Sequence, residues 1–145
     1  MEKNTVINEM GMQVKSIGAN EGIVRRTIGD FVNMYTNDPE ALSDLKTSVS
    51  EAVTNCIIHA YSEKPGIIYV SAKIFKDGKV QIKIKDKGCG IEDVEKAKET
   101  FFSTKSEHAG LGFNVMETMT DKVKVKSIVN SGTTITLEKR IEIFM

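Results

Sequence analysis

Cysteine is scarce in this sequence. Cys56 and Cys89 are the two it contains, and neither has a His or Cys neighbour at metal-ligand spacing. That argues against a disulfide-stapled scaffold and a zinc module, and leaves two reduced thiols as the expectation. An excess of either charge is missing as well. Lys+Arg and Asp+Glu both total 20, for a formal net charge of +0. A general nucleic-acid binder would carry a basic excess, so no direct nucleic-acid contact is expected. Near-neutrality instead suits association with protein partners. Apolar runs long enough to cross a bilayer are lacking. The opening Met1-Glu2-Lys3-Asn4 has no signal-peptide core. Both absences make the cytoplasm the default location and predict no membrane partner. With two prolines, no Ser/Gly-rich linker and no internal repeat, residues 1–145 read as one domain.

What is present is patterned. Met10, Met12 and Val14 alternate and predict an opening strand. Asn20 is a candidate cap for a helix from about Glu21 to Tyr35, with Ile23, Ile28, Phe31 and Val32 on its apolar face. Asp38-Pro39 starts a second helix, Asp as N-cap and Pro at the first helical position, running to about Tyr61. Leu42, Leu45, Val49, Ala52, Val53, Cys56 and Ala60 form its apolar stripe. Pro65-Gly66 closes that segment. Ile67 to Phe75 and Val80 to Asp86 predict a hairpin around Asp77-Gly78, where both residues tolerate positive φ. Residues 87 to 109 read as irregular, with a short helix around Asp93 to Lys98. Gly110 and Gly112 open a third helix to about Met119. A second hairpin runs from Lys122 to Val129, turns at Asn130-Ser131-Gly132, and returns from Thr133 to Ile141. Helices on one face of a mostly antiparallel sheet make a two-layer α+β sandwich.

Four places break the pattern. Asp86 keeps phase with Val80, Ile82 and Ile84, so period two aims a carboxylate at the buried face, although a strand that simply ends there reads the same way. Gly88 and Gly90 follow at once, where a turn alone needs one glycine and a close backbone approach needs more. Glu51 and Asn55, at i,i+4, lie about 40° apart on a helix. They share a face with Ser48 and His59, away from the apolar stripe. A carboxylate there suits a base and an amide oxygen suits Mg²⁺, though such a pair also decorates plain surfaces. Gly110-Leu111-Gly112-Phe113 at a helix start would offer free N–H groups to an anion. No G-x-x-x-x-G-K-[ST] loop occurs, and Val115 stands where a dinucleotide fingerprint needs its last glycine. Thr133 keeps phase with Ile135 and Leu137, aiming a hydroxyl inward, a placement that strand propensity explains equally well.

Together these elements resemble the GHKL superfamily of ATPases and kinases. Glu51-x-x-x-Asn55 resembles its N box and Asp86-x-Gly88-x-Gly90 its first glycine box. Gly110-x-Gly112 resembles the second and Gly132-Thr133 the third, in matching order over nearly the whole chain. The resemblance implies the Bergerat ATP-binding fold, a two-layer α/β sandwich with a mixed, mostly antiparallel sheet and helices on one face. It implies ATP and Mg²⁺ as cofactors. Asp86 would accept from the adenine amino group, Thr133 would support the adenine edge, and Asn55 would hold Mg²⁺ against the phosphates. Gly88, Gly90, Gly110 and Gly112 would shape the nucleotide site. The loop from Lys87 to Ala109 would be a lid carrying Ser103, Thr104 and Lys105 near the phosphates.

Glu51 selects a branch. A serine hydroxyl or a water benefits from a base, whereas a neutral imidazole acceptor does not. The gyrase, chaperone and mismatch-repair ATPases keep Glu but complete the site with a second domain, for which this chain has no room. Glu51-Ala52-Val53-Thr54-Asn55, Ile57-Ile58-His59-Ala60-Tyr61 and Phe102-Ser103-Thr104-Lys105 resemble the sporulation anti-sigma F factor family. That resemblance implies a homodimer that holds a sigma factor, sigma F, in an ATP-dependent complex. It also implies phosphorylation of an anti-anti-sigma protein on serine, and a first helix that turns Glu21 and Arg25 toward these partners. One segment departs from the family: Arg usually precedes the second glycine box, and here Glu107-His108-Ala109-Gly110 stands. His108 is only partly charged near neutral pH, so Lys105 would carry that charge instead. Two other readings are a general-stress anti-sigma kinase of the same branch and an ATP-binding interaction module without significant phosphoryl transfer. Glu51 argues against the second, since a pure binder needs no base.

Overall fold

A computed structural model of the chain describes residues 4–61, 64–94 and 104–144, with backbone alone for 104–111. Five strands form a single sheet: β1 (Val6–Lys15), β2 (Ile67–Phe75), β3 (Lys79–Lys85), β4 (Lys122–Ile128) and β5 (Gly132–Arg140). Their order is β1-β2-β3-β5-β4, and every pairing is antiparallel. Expected to be mixed and mostly antiparallel, the sheet is antiparallel throughout.

Alternation decides which face is buried. Val70, Ala72 and Ile74 on β2 pair in register with Ile84, Ile82 and Val80 on β3, and Ile84 and Ile82 pair in turn with Ile135 and Leu137 on β5. All are buried. The outer face is polar and carries exposed Lys83, Lys85, Lys124 and Lys126. Three α-helices among the described residues are α1 (Glu21–Asn33), α2 (Pro39–Asn55) and α3 (Thr104–Met119). Val24, Ile28, Phe31 and Val32 of α1, Leu45, Val49, Ala52 and Val53 of α2, and Phe113 and Met116 of α3 join the sheet in one core. The result is the two-layer α+β sandwich.

Asp38 caps α2 as its sequence demands: Oδ1 accepts from Glu40 N and Ala41 N, each at 3.1 Å. Other local expectations are corrected. Asn20 makes no side-chain cap. A 3₁₀ turn, Gly18–Asn20, precedes α1, and Asn20 Nδ2 donates to Lys15 O at 2.9 Å instead. Helix α1 stops at Asn33, before Tyr35. The hairpin at Asp77-Gly78 forms as expected, with Gly78 supplying the positive φ, at 96°, and Asp77 Oδ1 accepting from Lys79 N. Helix α2 does not continue as α-helix to Tyr61 but widens into a π turn over Cys56–Ala60. Helix α3 begins at Thr104, six residues before Gly110. Gly110 and Gly112 therefore lie within the helix and not at its start. The short helix expected over Asp93 to Lys98 lies, from residue 95, outside the described residues.

Candidate functional site

The strand β3 ends at Lys85, and Asp86 keeps its phase: the residue is 4% exposed. A buried carboxylate needs donors, and the surrounding elements supply them. Oδ1 accepts from Gly88 N at 2.9 Å and from Thr133 N at 3.2 Å. Oδ2 lies 3.5 Å from Cys56 Sγ, which donates to it. Burial first, then the Asp86 charge and this hydrogen bond, push the Cys56 thiol well above its ordinary pKa, so it remains a protonated donor. A carboxylate oxygen takes two hydrogen bonds. Oδ1 is filled, and Oδ2 keeps one position for a further N–H.

The loop after Asp86 is held from two sides. The π turn presents Ala60 O to Cys89 N at 2.8 Å, a use consistent with π turns clustering at functional sites. Tyr61, just beyond, donates through its hydroxyl to Ile67 O at 2.7 Å and accepts from Lys87 N at 2.8 Å. On the other side stands the tip of the β4–β5 hairpin. Asn130 N donates to Cys89 O at 2.8 Å. Ser127 Oγ accepts from Ile91 N at 2.6 Å and shares a hydrogen bond of 2.8 Å with Thr133 Oγ1. The inward hydroxyl of Thr133 thus has its partner. The glycines expected to approach a ligand approach protein backbone: a Cβ on Gly88 would overlap the Ala60 carbonyl, and one on Gly132 would overlap the Asp86 carbonyl. Gly90, at φ 76°, lies as close to the Ile128 carbonyl.

The polar face of α2 is not left to solvent. Helix α3 packs on it, with Gly112 at the crossing. A Cβ on Gly112 would lie 3.0 Å from Glu51 Oε2 and 3.5 Å from both Oδ1 and Nδ2 of Asn55. Ser48 is fully buried and donates back to Asp44 O at 2.9 Å. Asn55 is 8% exposed, and neither amide atom has a protein partner. An amide so placed is a rarity in folded proteins. It fits an absent oxygen-ligated ion, which the Asn55 Oδ1 could hold. Among the described residues no cluster of three or more His, Cys, Asp or Glu could hold a metal by itself.

Glu51, Asn55 and Gly112 are brought together, and Asp86, Gly88, Gly90 and Thr133 form the adjoining clamp. Of the expected phosphate-side residues, Ser103 lies outside the described residues. Thr104 and Lys105 stand at the N-terminal end of the described part of α3. Gly110 and His108 follow in the same helix. Glu21 and Arg25 pair with each other on α1, Oε1 to Nη1 at 2.8 Å. Cys56, Tyr61 and Ser127 hydrogen-bond to the candidate site residues and their loop, and sequence reasoning passed over them. Cys56 had been absorbed into the apolar stripe, and a hydroxyl on an edge strand carries no signal of its own. Both cysteines are free, Cys56 buried and Cys89 exposed. No helix among the described residues is long and apolar enough to cross a membrane.

Known proteins resemble this chain in sequence and in fold. Residues 19–139 match the family described as histidine kinase-like ATPase domain. The anti-sigma F factor of Priestia megaterium is 39% identical over 137 residues, covering 92% of this chain and 93% of that one. The anti-sigma F factor of Geobacillus sp. (strain WCH70) is 44% identical with the same coverage. Among solved structures, the RsbU and RsbW domains of a Mycobacterium tuberculosis protein superpose with a TM-score of 0.69 at 20% identity, over 92% of this chain and 32% of that one. A histidine kinase domain from Erythrobacter litoralis superposes with a TM-score of 0.56 at 17% identity, over 85% of this chain and 60% of that one. These two likenesses are of fold. With relatives of this identity along nearly its whole length, the chain belongs to the anti-sigma F factor family, within the histidine kinase-like ATPases.

Proposed function

We propose that this chain is a cytoplasmic, homodimeric serine kinase that uses Mg-ATP both to hold a sporulation sigma factor, sigma F, and to phosphorylate an anti-anti-sigma protein on serine. The observation that carries the reading is Asn55, buried with an unpartnered amide one helical turn beyond Glu51 and beneath Gly112. Orphaned buried polar groups are destabilising by about 1–3 kcal/mol, and a nucleotide with its ion would supply the missing partner. The sigma-factor assignment is supported by the name that the relatives bear.

Mg²⁺, held by Asn55 Oδ1, would neutralise phosphate charge when bound. The chain's own groups do the rest. Asp86 Oδ2 accepts the adenine amino N–H, and Thr133 with Ser127 borders the ring edge. Ser103, Thr104 and Lys105 serve the phosphates, with Lys105 supplying the charge that His108 lacks. Glu51 takes the proton of the acceptor serine as its oxygen bonds to the γ-phosphorus. The bond from phosphorus to the bridging oxygen breaks and ADP leaves. Glu21 and Arg25 exchange their mutual ion pair for contacts with the partner proteins.

The test is a transfer and capture experiment. The chain is incubated with radiolabelled Mg-ATP and candidate anti-anti-sigma proteins, and sigma F retention is compared in Mg-ATP and Mg-ADP. Label on a serine of the sporulation-type substrate, with retention favoured by ATP, is the expected result. Retention without transfer would turn the reading toward a binding module. Transfer only to a general-stress substrate would turn it toward that kinase. Neither activity would overturn it.

A further inference from the structure

Cys56 is 3% exposed and opens the π turn. Its sulfur lies 3.5 Å from Asp86 Oδ2, across 30 residues of sequence. A buried cysteine ordinarily serves as a small apolar filler, but this one meets the carboxylate proposed to face the base. The two oxygens of Asp86 are held differently. Oδ1 is fixed by two main-chain donors, Gly88 N and Thr133 N. Rotation about Cβ–Cγ would carry both oxygens together, so the two bonds to Oδ1 already oppose it. Among the described residues the Cys56 thiol is the donor to the other oxygen, and it narrows the remaining swing of the carboxylate plane. It fills one acceptor position of Oδ2 and leaves the second in a fixed direction.

We propose that Cys56 is a positioning residue whose thiol orients Asp86 toward the exocyclic amino group of the base and so sets the preference for an aminopurine nucleotide. The proposal rests on the nucleotide-site reading above. It uses no chemistry at sulfur: the thiol donates one hydrogen bond and stays intact.

Calorimetric affinities for ATP and for purine riboside triphosphate, which lacks the amino group, test it in the wild type, Cys56→Ala and Cys56→Ser. Thermal denaturation confirms that each variant is folded. The wild type prefers ATP. Cys56→Ala weakens ATP binding about three- to tenfold, as expected for a misdirected hydrogen bond, and leaves the analogue unchanged. Cys56→Ser keeps a donor and keeps most of the preference. If Cys56→Ala shifts both nucleotides equally, or neither, the residue is packing and the proposal fails while the nucleotide site stands. If Cys56→Ser loses the preference as fully as Cys56→Ala, a donor at this position is not the cause and the proposal likewise fails. A wild type that binds both nucleotides equally would instead remove Asp86 from base recognition, and the proposal with it.

Discussion

Asp86 and Thr133 hold each other twice: Asp86 N donates to Thr133 O at 2.9 Å, and Thr133 N donates to Asp86 Oδ1 at 3.2 Å. The main-chain bond lies just past the end of the β3–β5 pairing and needs no particular side chain at position 86. The second needs an acceptor. Asp86→Asn keeps Oδ1 for Gly88 N and Thr133 N but places an amide where the base amino group would donate. The variant should fold, and its ATP affinity should fall by about 1.5–3 kcal/mol, the range for a hydrogen bond to a charged group. Calorimetry on the folded variant showing wild-type affinity would remove Asp86 from the site.

At Asn55 too, function should be lost without loss of stability. Its amide has no protein partner to lose. Asn55→Ala should leave the nucleotide-free chain as stable as before or stabilise it by about 1 kcal/mol, because a buried unsatisfied group is removed. ATP binding should drop in Mg²⁺ and change much less in EDTA. Equal losses under both conditions would make Asn55 a structural residue.

Much of this was legible because the relevant signals are local. Period two in Val80, Ile82 and Ile84 fixed the side of Asp86, whatever packs above it. Asp38-Pro39 announced α2 through its own backbone N–H groups. The failures share one physical cause, packing by another element. Gly112 was read as a helix opener because glycine punctuates chains. It lies within α3, where the approach to Glu51 and Asn55 leaves only tight space for a methyl, 3.0 Å from Glu51 Oε2. The π turn at Cys56–Ala60 answers a need of the Asp86 loop, namely an acceptor for Cys89 N, that the helix's own residues do not express. Gly88 and Gly90 were singled out for close approach to a ligand, and the close contacts the fold shows at them are with Ala60 and Ile128.

Gly112→Ala separates these roles. Inside a helix, alanine is favoured over glycine by about 0.5–1 kcal/mol. The new methyl would meet Glu51 Oε2 at 3.0 Å, tighter than ordinary contact, and the carboxylate would swing away. The variant should be at least as stable as the wild type in denaturant and should bind and turn over ATP less well. Unchanged turnover would mean that Glu51 tolerates displacement and is not the base.

Tyr61 supplies a pH dependence. Burial raises its phenol above the ordinary value, while the hydrogen bond from Lys87 N pulls the other way. The folded chain therefore keeps this proton to higher pH than the unfolded chain. The contribution is whole below about pH 10, the unfolded value, and is lost as pH rises through the folded one. Tyr61→Phe should be less stable at neutral pH by about 1–2 kcal/mol, for two lost hydrogen bonds. Its denaturation midpoint should also fall less steeply in alkali than that of the wild type. Parallel alkaline limbs would assign the wild-type loss to other groups.

Glu51→Gln examines the mechanism itself. The side chain sits half-buried between α2 and the Gly112 crossing, one turn before the proposed Mg²⁺ ligand. Gln has the same shape, so ATP binding and sigma retention should persist, since holding a partner requires nucleotide but no transfer. Removing the proton acceptor should slow phosphorylation by roughly 10²–10⁴-fold, the range for general-base catalysis. Single-turnover transfer measured beside sigma capture reads both activities in one preparation. Transfer at the wild-type rate would show that the serine hydroxyl finds its base elsewhere. Loss of sigma capture together with transfer would show that Glu51 supports the packing of α3 on α2, and the kinase reading would then lose the residue that distinguishes it from a binding module.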